Sequence, residues 1–299
     1  MMTVTTNAAE KQNINHLSSE EKMQLAKAIY ANTSYFEQMF HASQIEINCQ
    51  PFADQFQQAI SRLLLEKKLI PAAIPLERLH ECLADEMRAY NFNDGINQIS
   101  THFYETDASF MQIYYDFIRF LQTALVHEPF LFQATPTIRI HCPNAENSHH
   151  YPRYHTDIGY GHPPEEINVW LPLTPLLDGH SFRLMSVAES KKLLGRFDYD
   201  FNAFIGHAIH NHVFSRECDL LSQPVTTAFG RLLAFDSRSV HTGEPLKTHT
   251  RISIDIRIVP VKQFALRAVD YQGSGRRKIL FQPGHCYHEK NSQQLSGEE

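Results

Sequence analysis

Residues 251–259 read Arg-Ile-Ser-Ile-Asp-Ile-Arg-Ile-Val, and this stretch decides the fold. From 251 to 258, polar residues occupy the odd positions and isoleucines occupy the even ones. Because side chains alternate between the two faces of a strand, the stretch predicts a strand with one polar and one apolar face. We expect the apolar face to pack against helices and the polar face to line a lumen.

The chain after Pro129 consists of short alternating segments separated by Pro, Gly, Asn and Asp, which is typical of an antiparallel sandwich or barrel. The fold class that we predict is α+β, mainly β, with a jelly-roll core. Its eight predicted strands span residues 135–141, 151–157, 167–173, 181–185, 225–228, 232–235, 239–241 and 252–259.

The chain before Pro129 is predicted to be helical. Ser18 and Glu21 form the pattern of a capping box that opens a first helix. Further helices are predicted at 53–67, after Pro75 and at 107–126, and the aromatic stripe of 107–126 indicates core packing rather than a cofactor site. A short helix is predicted near 188–194, followed by a long insertion at 197–216.

This pattern predicts a single domain flanked by a polar arm and a tail. The predicted boundaries are an arm at 1–17, a domain at 18–290 and a tail at 291–299. Within the domain we expect a helical part at 18–128, a jelly-roll core at 130–260 and a C-terminal extension at 261–290.

Composition excludes several classes of partner. The chain has 299 residues and a formal net charge of -6, which gives no general electrostatic reason to bind nucleic acid. It contains no run of 18 apolar residues that could cross a membrane and no secretory signal pattern at its start. The five cysteines are scattered without a CxxC pair, which indicates free thiols in a reducing compartment. We therefore expect a cytoplasmic protein that acts on a small molecule.

The stretch Arg-Tyr-His-Thr-Asp-Ile-Gly at 153–159 carries the main chemical signal. On a strand, His155 and Asp157 would point to the same side. A second imidazole, from His241, would complete the two-histidine, one-carboxylate set that binds ferrous iron and leaves three coordination positions open. A 2-oxo acid can fill two of those positions and dioxygen the third.

Arg251 and Ser253 strengthen this hypothesis because they lie on one face of the strand that follows His241. An arginine fork can bind the far carboxylate of a dicarboxylic co-substrate through two parallel hydrogen bonds, and a serine can add a hydroxyl donor. His-x-Asp is a weak signal in a chain with 18 histidines. The combination is much more specific, since its parts meet separate requirements of one reaction.

The segments His155-Thr-Asp157-Ile-Gly-Tyr-Gly-His162 and Glu166-Ile-Asn-Val-Trp-Leu-Pro172-Leu-Thr resemble a known family. They look like the Fe(II)- and 2-oxoglutarate-dependent dioxygenases of the phytanoyl-CoA-hydroxylase-like superfamily. The similarity is greatest to the branch that contains streptomycin-biosynthesis hydroxylase-like proteins and Kdo hydroxylases, and it covers about residues 135–260. The resemblance implies a double-stranded β-helix, with iron on His155, Asp157 and His241 and the distal carboxylate of 2-oxoglutarate on Arg251 and Ser253.

Several other residues are weaker candidates for the site. We predict that Asn168 and Arg139 contact the co-substrate, and that four residues contact the substrate: Tyr160, His162, Trp170 and His141. Each has a plain alternative. Arg139 could form an internal ion pair with Asp255, Trp170 could be a core residue, and Tyr160 and His162 could be ordinary loop packing.

Three further clusters have mainly structural interpretations. His207, His210 and His212 could form a second metal site, but histidines of a loop are more often exposed or border a pocket. Asp255 and Arg257 are predicted to pair with each other. The basic run at 276–278 is predicted to be a solvated turn.

The leading functional hypothesis is an oxygenase that hydroxylates a small polar metabolite or sugar, such as a Kdo-like sugar or a natural-product intermediate, and releases succinate and carbon dioxide. One alternative is a cupin-type metalloenzyme that uses the same ligands without 2-oxoglutarate, although it leaves Arg251 and Ser253 unexplained. A second is a jelly-roll binding protein without catalytic activity.

Overall fold

The computed structural model describes residues 11–90, 96–145, 154–177, 182–244, 246–274 and 278–295. The predicted basic run at 276–278 lies mostly outside these ranges, as do residues 151–153 and 181 of the predicted strands. The described strands are β1 Gln44–Asn48, β2 Phe130–Phe132, β3 Thr137–His141, β4 Ile167–Pro172, β5 Phe182–Leu184, β6 Gln223–Pro224, β7 Arg231–Asp236, β8 His241–Gly243 and β9 Arg251–Pro260.

Strand β9 lies inside the larger sheet, with paired strands on both sides. The order of this antiparallel sheet is β1-β7-β4-β9-β2, and β3 also pairs with β9. The four isoleucines of β9 are buried in the main core cluster. The polar residues on the opposite face line a cavity. Both faces of β9 therefore have the environments that the sequence predicts.

The smaller sheet has the order β6-β5-β8, and a single bridge between His155 and His241 extends it. From β3 onward the chain crosses repeatedly between the sheets, so that β3, β4, β7 and β9 lie in one and β5, β6 and β8 in the other. The fold is thus a double-stranded β-helix flanked by helices. Apolar side chains from β4, β5 and β7 pack together between the two sheets.

The helices of the described residues are α1 Ser19–Ala31, α2 Tyr35–Phe40, α3 Gln50–Glu66, α4 Asp85–Arg88, α5 Gln98–Thr101, α6 Ala108–Leu121, α7 Val187–Gly195, α8 Phe201–His210, α9 His212–Leu221, α10 Val261–Leu266 and α11 Ser292–Leu295. Ser18 and Glu21 form the predicted capping box at the start of α1. Helices α3 and α6 bury aromatic and aliphatic side chains against the isoleucines of β9. Each fully buried side chain of this kind contributes about 1.5–3 kcal/mol.

Three predicted elements outside the candidate site differ from the structure. The pattern after Pro75 forms a 3₁₀ helix, Leu76–Glu81, and then the separate short helix α4, because the chain leaves helical geometry at Cys82. Residues 225–228 form no strand, since pairing with β5 takes place at β6 directly after α9 ends. The strand predicted at 239–241 begins at His241, because a turn closed by the bond from Ser239 N to Asp236 O precedes it.

The insertion predicted at 197–216 is a helical hairpin made of α8 and α9. Its core is a group of aromatic rings in edge-to-face contact that includes Phe197, Phe204 and Phe214. The hairpin also packs on the turn that follows Asp157, because a Cβ built at Gly159 would lie 3.3 Å from Ile205. The insertion is therefore part of the wall beside the predicted metal ligands.

Candidate metal centre

His155, Asp157 and His241 come together as the sequence predicts. One potential ligand atom from each lies within 4.8 Å of the others. His241 Nε2 is 3.8 Å from Asp157 Oδ1, and the two imidazole rings are 4.4 Å apart between centroids. Among the described residues this is the one group of three or more such side chains close enough to hold a metal ion.

The route by which these ligands meet differs from the prediction of a strand at 151–157. His155 forms a single bridge to His241, with N–O distances of 3.0 and 2.9 Å in the two directions. Asp157 then begins a 3₁₀ helix, Asp157–Tyr160, whose N-cap Thr156 accepts a hydrogen bond from Gly159 N. The bridge and the capped turn together bring His155 and Asp157 to one side.

The orientation of His241 suits metal binding. Its Nδ1 lies 3.0 Å from the carbonyl oxygen of Ser239, and that hydrogen bond assigns the ring proton to Nδ1. The lone pair of Nε2 is then available on the side of Asp157. Metal-binding histidines commonly have their second nitrogen fixed in this way.

The donor set fits a divalent ion. Two neighbouring ligand atoms bound at about 2.1 Å and about 90° to each other lie about 3.0 Å apart. His241 Nε2 and Asp157 Oδ1 are 3.8 Å apart, so these two atoms would approach each other by roughly 0.8 Å around a bound ion. Two imidazoles and one carboxylate on one side of an ion are the facial set of non-heme iron(II) enzymes.

Asp157 presents its two oxygens to different partners. Oδ1 faces His241, whereas Oδ2 accepts hydrogen bonds from Arg257 Nη2 at 3.1 Å and Nε at 3.3 Å. Burial alone would raise the pKa of Asp157. The positive charge of Arg257 and the neighbouring imidazoles instead hold that pKa well below its usual value, so the carboxylate is ionised at neutral pH.

The prediction that Asp255 and Arg257 pair with each other is wrong, because each of them bonds to a different residue. Arg257 bonds to Asp157, while Asp255 accepts from Arg139 Nε at 2.6 Å and from the hydroxyl of Ser253 at 2.8 Å. The internal ion pair considered as an alternative for Arg139 is therefore present. Any contact of Arg139 or Ser253 with a co-substrate stays a prediction.

A cavity of about 120 Å³ lies between the two sheets beside the three ligands. The cavity has room for several water molecules, so it suits a small molecule. The lining includes all three predicted metal ligands, the four predicted co-substrate residues and two of the four predicted substrate residues: His155, Asp157, His241, Arg139, Asn168, Arg251, Ser253, His141 and Trp170.

Arg251 lines the same lumen as the three metal ligands. It is 3% exposed and stands opposite His141 in the pairing of β3 with β9. Six residues separate it from Arg257, which is about 20 Å along a strand that rises about 3.3 Å per residue. A 2.6 Å hydrogen bond joins Nδ1 of His141 to the hydroxyl of Tyr90. Its pKa is well below the usual value, first because of burial and then because of the two nearby arginines.

Asn168 and Trp170 project from β4 into the same lumen. Asn168 stands opposite Arg257 and Phe235, and its Nδ2 is buried without a hydrogen-bond partner among the described residues. A buried donor of this kind costs about 1–3 kcal/mol unless something accepts from it, which indicates a ligand atom at this point. Trp170 packs edge-on against Phe182, with 5.2 Å between ring centroids.

Tyr160 and His162 do not line the cavity. The ring of Tyr160 is 5.0 Å from that of His155 and the side chain is 37% exposed, so it borders the metal ligands from outside. His162 Nδ1 instead lies 2.7 Å from Glu166, and its ring packs against Phe281. Their contact with substrate stays a prediction.

The histidines of the α8–α9 hairpin do not form a metal site. His207 Nε2 is 3.0 Å from the side-chain nitrogen of Asn211, and its ring packs at steep angles against Phe197 and Phe214. In the part of the chain that the structure describes, these histidines form no metal-binding group. The α8–α9 hairpin is instead stabilised by aromatic packing and by the helix caps Asp200 and Asn211.

Arg257, Glu166 and Tyr287 are neighbours of the centre that sequence reasoning did not select. Arg257 stands on the lumen side of β9, so alternation could have indicated that it faces the site. Glu166 and Tyr287 carry no such signal, since their contact joins residues 121 positions apart.

No protein-family model matches the sequence, and no curated protein sequence matches it either. Among solved structures, a prolyl hydroxylase from Trichoplax adhaerens, in complex with a hypoxia inducible factor peptide, is 13% identical with a TM-score of 0.40. That similarity covers 83% of this chain and 94% of the other.

Two enzymes of nogalamycin biosynthesis are also similar. The alpha ketoglutarate dependent carbocyclase SnoK is 10% identical with a TM-score of 0.39, over 82% of this chain and 87% of its own. The epimerase SnoN, in complex with Fe3+, alpha ketoglutarate and nogalamycin RO, is 11% identical with a TM-score of 0.40, over 79% and 84%. These similarities are too distant to transfer an activity, and the fold of this chain follows from its own strand pairing.

The class that fold and site define is a double-stranded β-helix with a candidate mononuclear metal centre. Within the described residues, no helix has both the length and the apolar character needed to cross a bilayer.

Proposed function

We propose that this protein is an Fe(II)- and 2-oxoglutarate-dependent oxygenase. The observation that carries the proposal is the convergence of His155, Asp157 and His241 in a small lumen that the buried Arg251 also lines. Metal ligands and a deep cationic group in one cavity are what a 2-oxo diacid requires at its two ends.

Iron bound at this centre would supply the activation of dioxygen, which protein side chains cannot carry out. The side chains would fix the geometry. His155, Asp157 and His241 hold the ion from one side, Arg251 holds the distal carboxylate, and Asn168 donates to a ligand oxygen. The apolar walls formed by Trp170 and its neighbours limit access of water.

The substrate that we propose is a small polar metabolite or sugar. Support comes from the size of the cavity and from the resemblance of residues 155–174 to the branch with streptomycin-biosynthesis hydroxylase-like proteins and Kdo hydroxylases. Hydroxylation is the reaction we propose, because Asp157 occupies the ligand position that a halide would need. A cytoplasmic location and a single domain at 18–290 complete the proposal, and the five free cysteines support a reducing compartment.

The direct test is formation of succinate. Metal-free protein is loaded with Fe(II) under anaerobic conditions, mixed with 2-oxoglutarate and a panel of polar metabolites, and exposed to air. We expect succinate and oxygen consumption that both depend on iron and on 2-oxoglutarate, and a higher rate with the true substrate.

His241→Ala should abolish both signals while the circular dichroism spectrum stays unchanged, because the metal is catalytic and not structural. His207→Ala, on the hairpin, is the matched control and should retain activity. Full activity in His241→Ala would remove this residue from the centre. Oxygen consumption that needs no 2-oxo acid would favour a cupin-type enzyme, and metal binding without any turnover would favour a binding protein.

A further inference from the structure

A line of buried polar side chains connects the candidate metal ligand Asp157 to the C-terminal part of the chain. Arg257 bonds to Asp157 Oδ2 on one side, and on the other its Nε lies 3.9 Å from Glu166 Oε2. The same Glu166 oxygen is 2.7 Å from His162 Nδ1, and its second oxygen accepts a 2.7 Å hydrogen bond from the hydroxyl of Tyr287. Glu166 is 1% exposed and Tyr287 is fully buried.

The position of Arg257 determines which oxygen of Asp157 is available to a metal. Both hydrogen bonds from Arg257 end on Oδ2, and Oδ1 is the oxygen that faces His241. A carboxylate whose second oxygen is held in this way binds an ion through one oxygen. Binding through both would occupy an additional coordination position, and the proposed reaction needs three open ones.

The positive charge of Arg257, close to a candidate metal site, requires a negative counter-charge. A guanidinium beside a metal ion repels it, and the buried carboxylate of Glu166 offsets that repulsion. Burial alone would lower the pKa of Arg257, but Asp157 and then Glu166 and Asp255 raise it. Burying Glu166 would in turn be costly without partners, and Tyr287 and His162 satisfy its two oxygens.

We propose that Glu166, held by Tyr287 and His162, is a positioning residue that orients Arg257 so that Asp157 binds the metal through a single oxygen. This inference rests on the proposed function, since it assumes a metal at the centre. It gives the C-terminal segment around Tyr287 a role in the geometry of the site. Partners of metal-bound carboxylates usually change metal affinity by about 10- to 100-fold when they are replaced.

The experiment measures binding of Co(II), whose visible absorption spectrum reports coordination number and geometry, to the full-length protein. Glu166→Gln keeps the volume and the acceptor for Tyr287 but removes the charge. We expect its Co(II) dissociation constant to rise by about 10- to 100-fold, with an altered spectrum. Arg257→Lys keeps the charge without the planar fork and should also alter the spectrum.

Tyr287→Phe removes one hydroxyl and should weaken Co(II) binding by about 2- to 10-fold, which corresponds to one lost hydrogen bond. Tyr35→Phe is the matched control because it also removes a hydrogen bond from a tyrosine to a glutamate, Glu128, on the helical side of the molecule. If the line were merely structural, both tyrosine variants would lower the melting temperature while Co(II) affinity and spectrum stayed unchanged.

Folded Glu166→Gln and Tyr287→Phe proteins with wild-type affinity and spectrum would overturn the inference. If Glu166→Gln does not fold, Tyr287→Phe decides the question against Tyr35→Phe. Absence of the metal centre gives a different result, because the wild-type protein would then bind no Co(II), or would bind it equally well in a His155→Ala, His241→Ala double variant. A metal centre that does not use 2-oxoglutarate would still bind Co(II), and the succinate assay identifies that case separately.

Discussion

Replacing Arg251 with methionine tests the co-substrate assignment most directly. The guanidinium is 3% exposed on the lumen face of β9, so it would meet a carboxylate in a site nearly free of water. Two unit charges about 4 Å apart interact by about 4 kcal/mol at an effective dielectric constant of about 20. Removing one partner of a buried pair commonly costs about 2–5 kcal/mol. A loss of about 3 kcal/mol corresponds to an increase in KM for 2-oxoglutarate on the order of 100-fold.

Metal affinity should not change in Arg251→Met, because Arg251 is about 20 Å along the strand from the residue that contacts Asp157. The assay combines succinate formation at varied 2-oxoglutarate with Co(II) binding. Arg119→Met is a suitable control, since Arg119 bonds to Asp116 and to the Leu295 carbonyl on the helical side. An unchanged KM for 2-oxoglutarate in a folded Arg251→Met protein would refute the assignment, and so would a loss of metal affinity without a change in KM.

Three further predictions concern stability. Burial raises the pKa of Glu165 to about 7 from an ordinary 4.5, so the folded protein binds more protons than the unfolded chain between these values, and stability falls as pH rises through this range. In urea titrations, Glu165→Gln should therefore reduce the loss of unfolding free energy between pH 4 and pH 8 by about 1–3 kcal/mol relative to the wild-type protein. Gly161→Ala should destabilise the protein by about 1–3 kcal/mol or more in the same assay, because φ is +90° and a Cβ would lie 2.3 Å from a backbone carbonyl; wild-type stability would contradict this. Arg238→Met should lower the melting temperature and cost about 3–5 kcal/mol, since it leaves the 1%-exposed Asp236 without its counter-charge, and an unchanged melting temperature would count against it.

The sequence predicted best the parts of the fold that follow from a regular pattern. In strand β9 apolar residues recur at every second position, and in helix α6 they recur at every third or fourth. Burial of one face therefore decides the structure of each element. The 3₁₀ turn at Asp157 was not predictable from alternation. It depends on the Thr156 cap and on packing against α8, which comes from a distant part of the chain.

The candidate site was predictable in its residue types but not in its pairings. The order of His155, Asp157, His241 and Arg251 along the chain indicates an iron and 2-oxo acid site. The first three of these residues do come together in the structure. Whether Arg257 bonds to Asp255 or to Asp157 depends on where a turn of another segment places a carboxylate. The contact between Glu166 and Tyr287 has the same non-local origin.

Strand β9 carries both Arg257, which bonds to Asp157, and Arg251, which lines the same lumen. Successive residues face opposite sides, so this separation can change only in steps of two residues, or about 7 Å. One inserted residue would turn Arg251 into the apolar core. Only every other position of β9 can therefore present a cationic side chain to the lumen, and a relative with its anchor at an intermediate position would have to place it on a different strand.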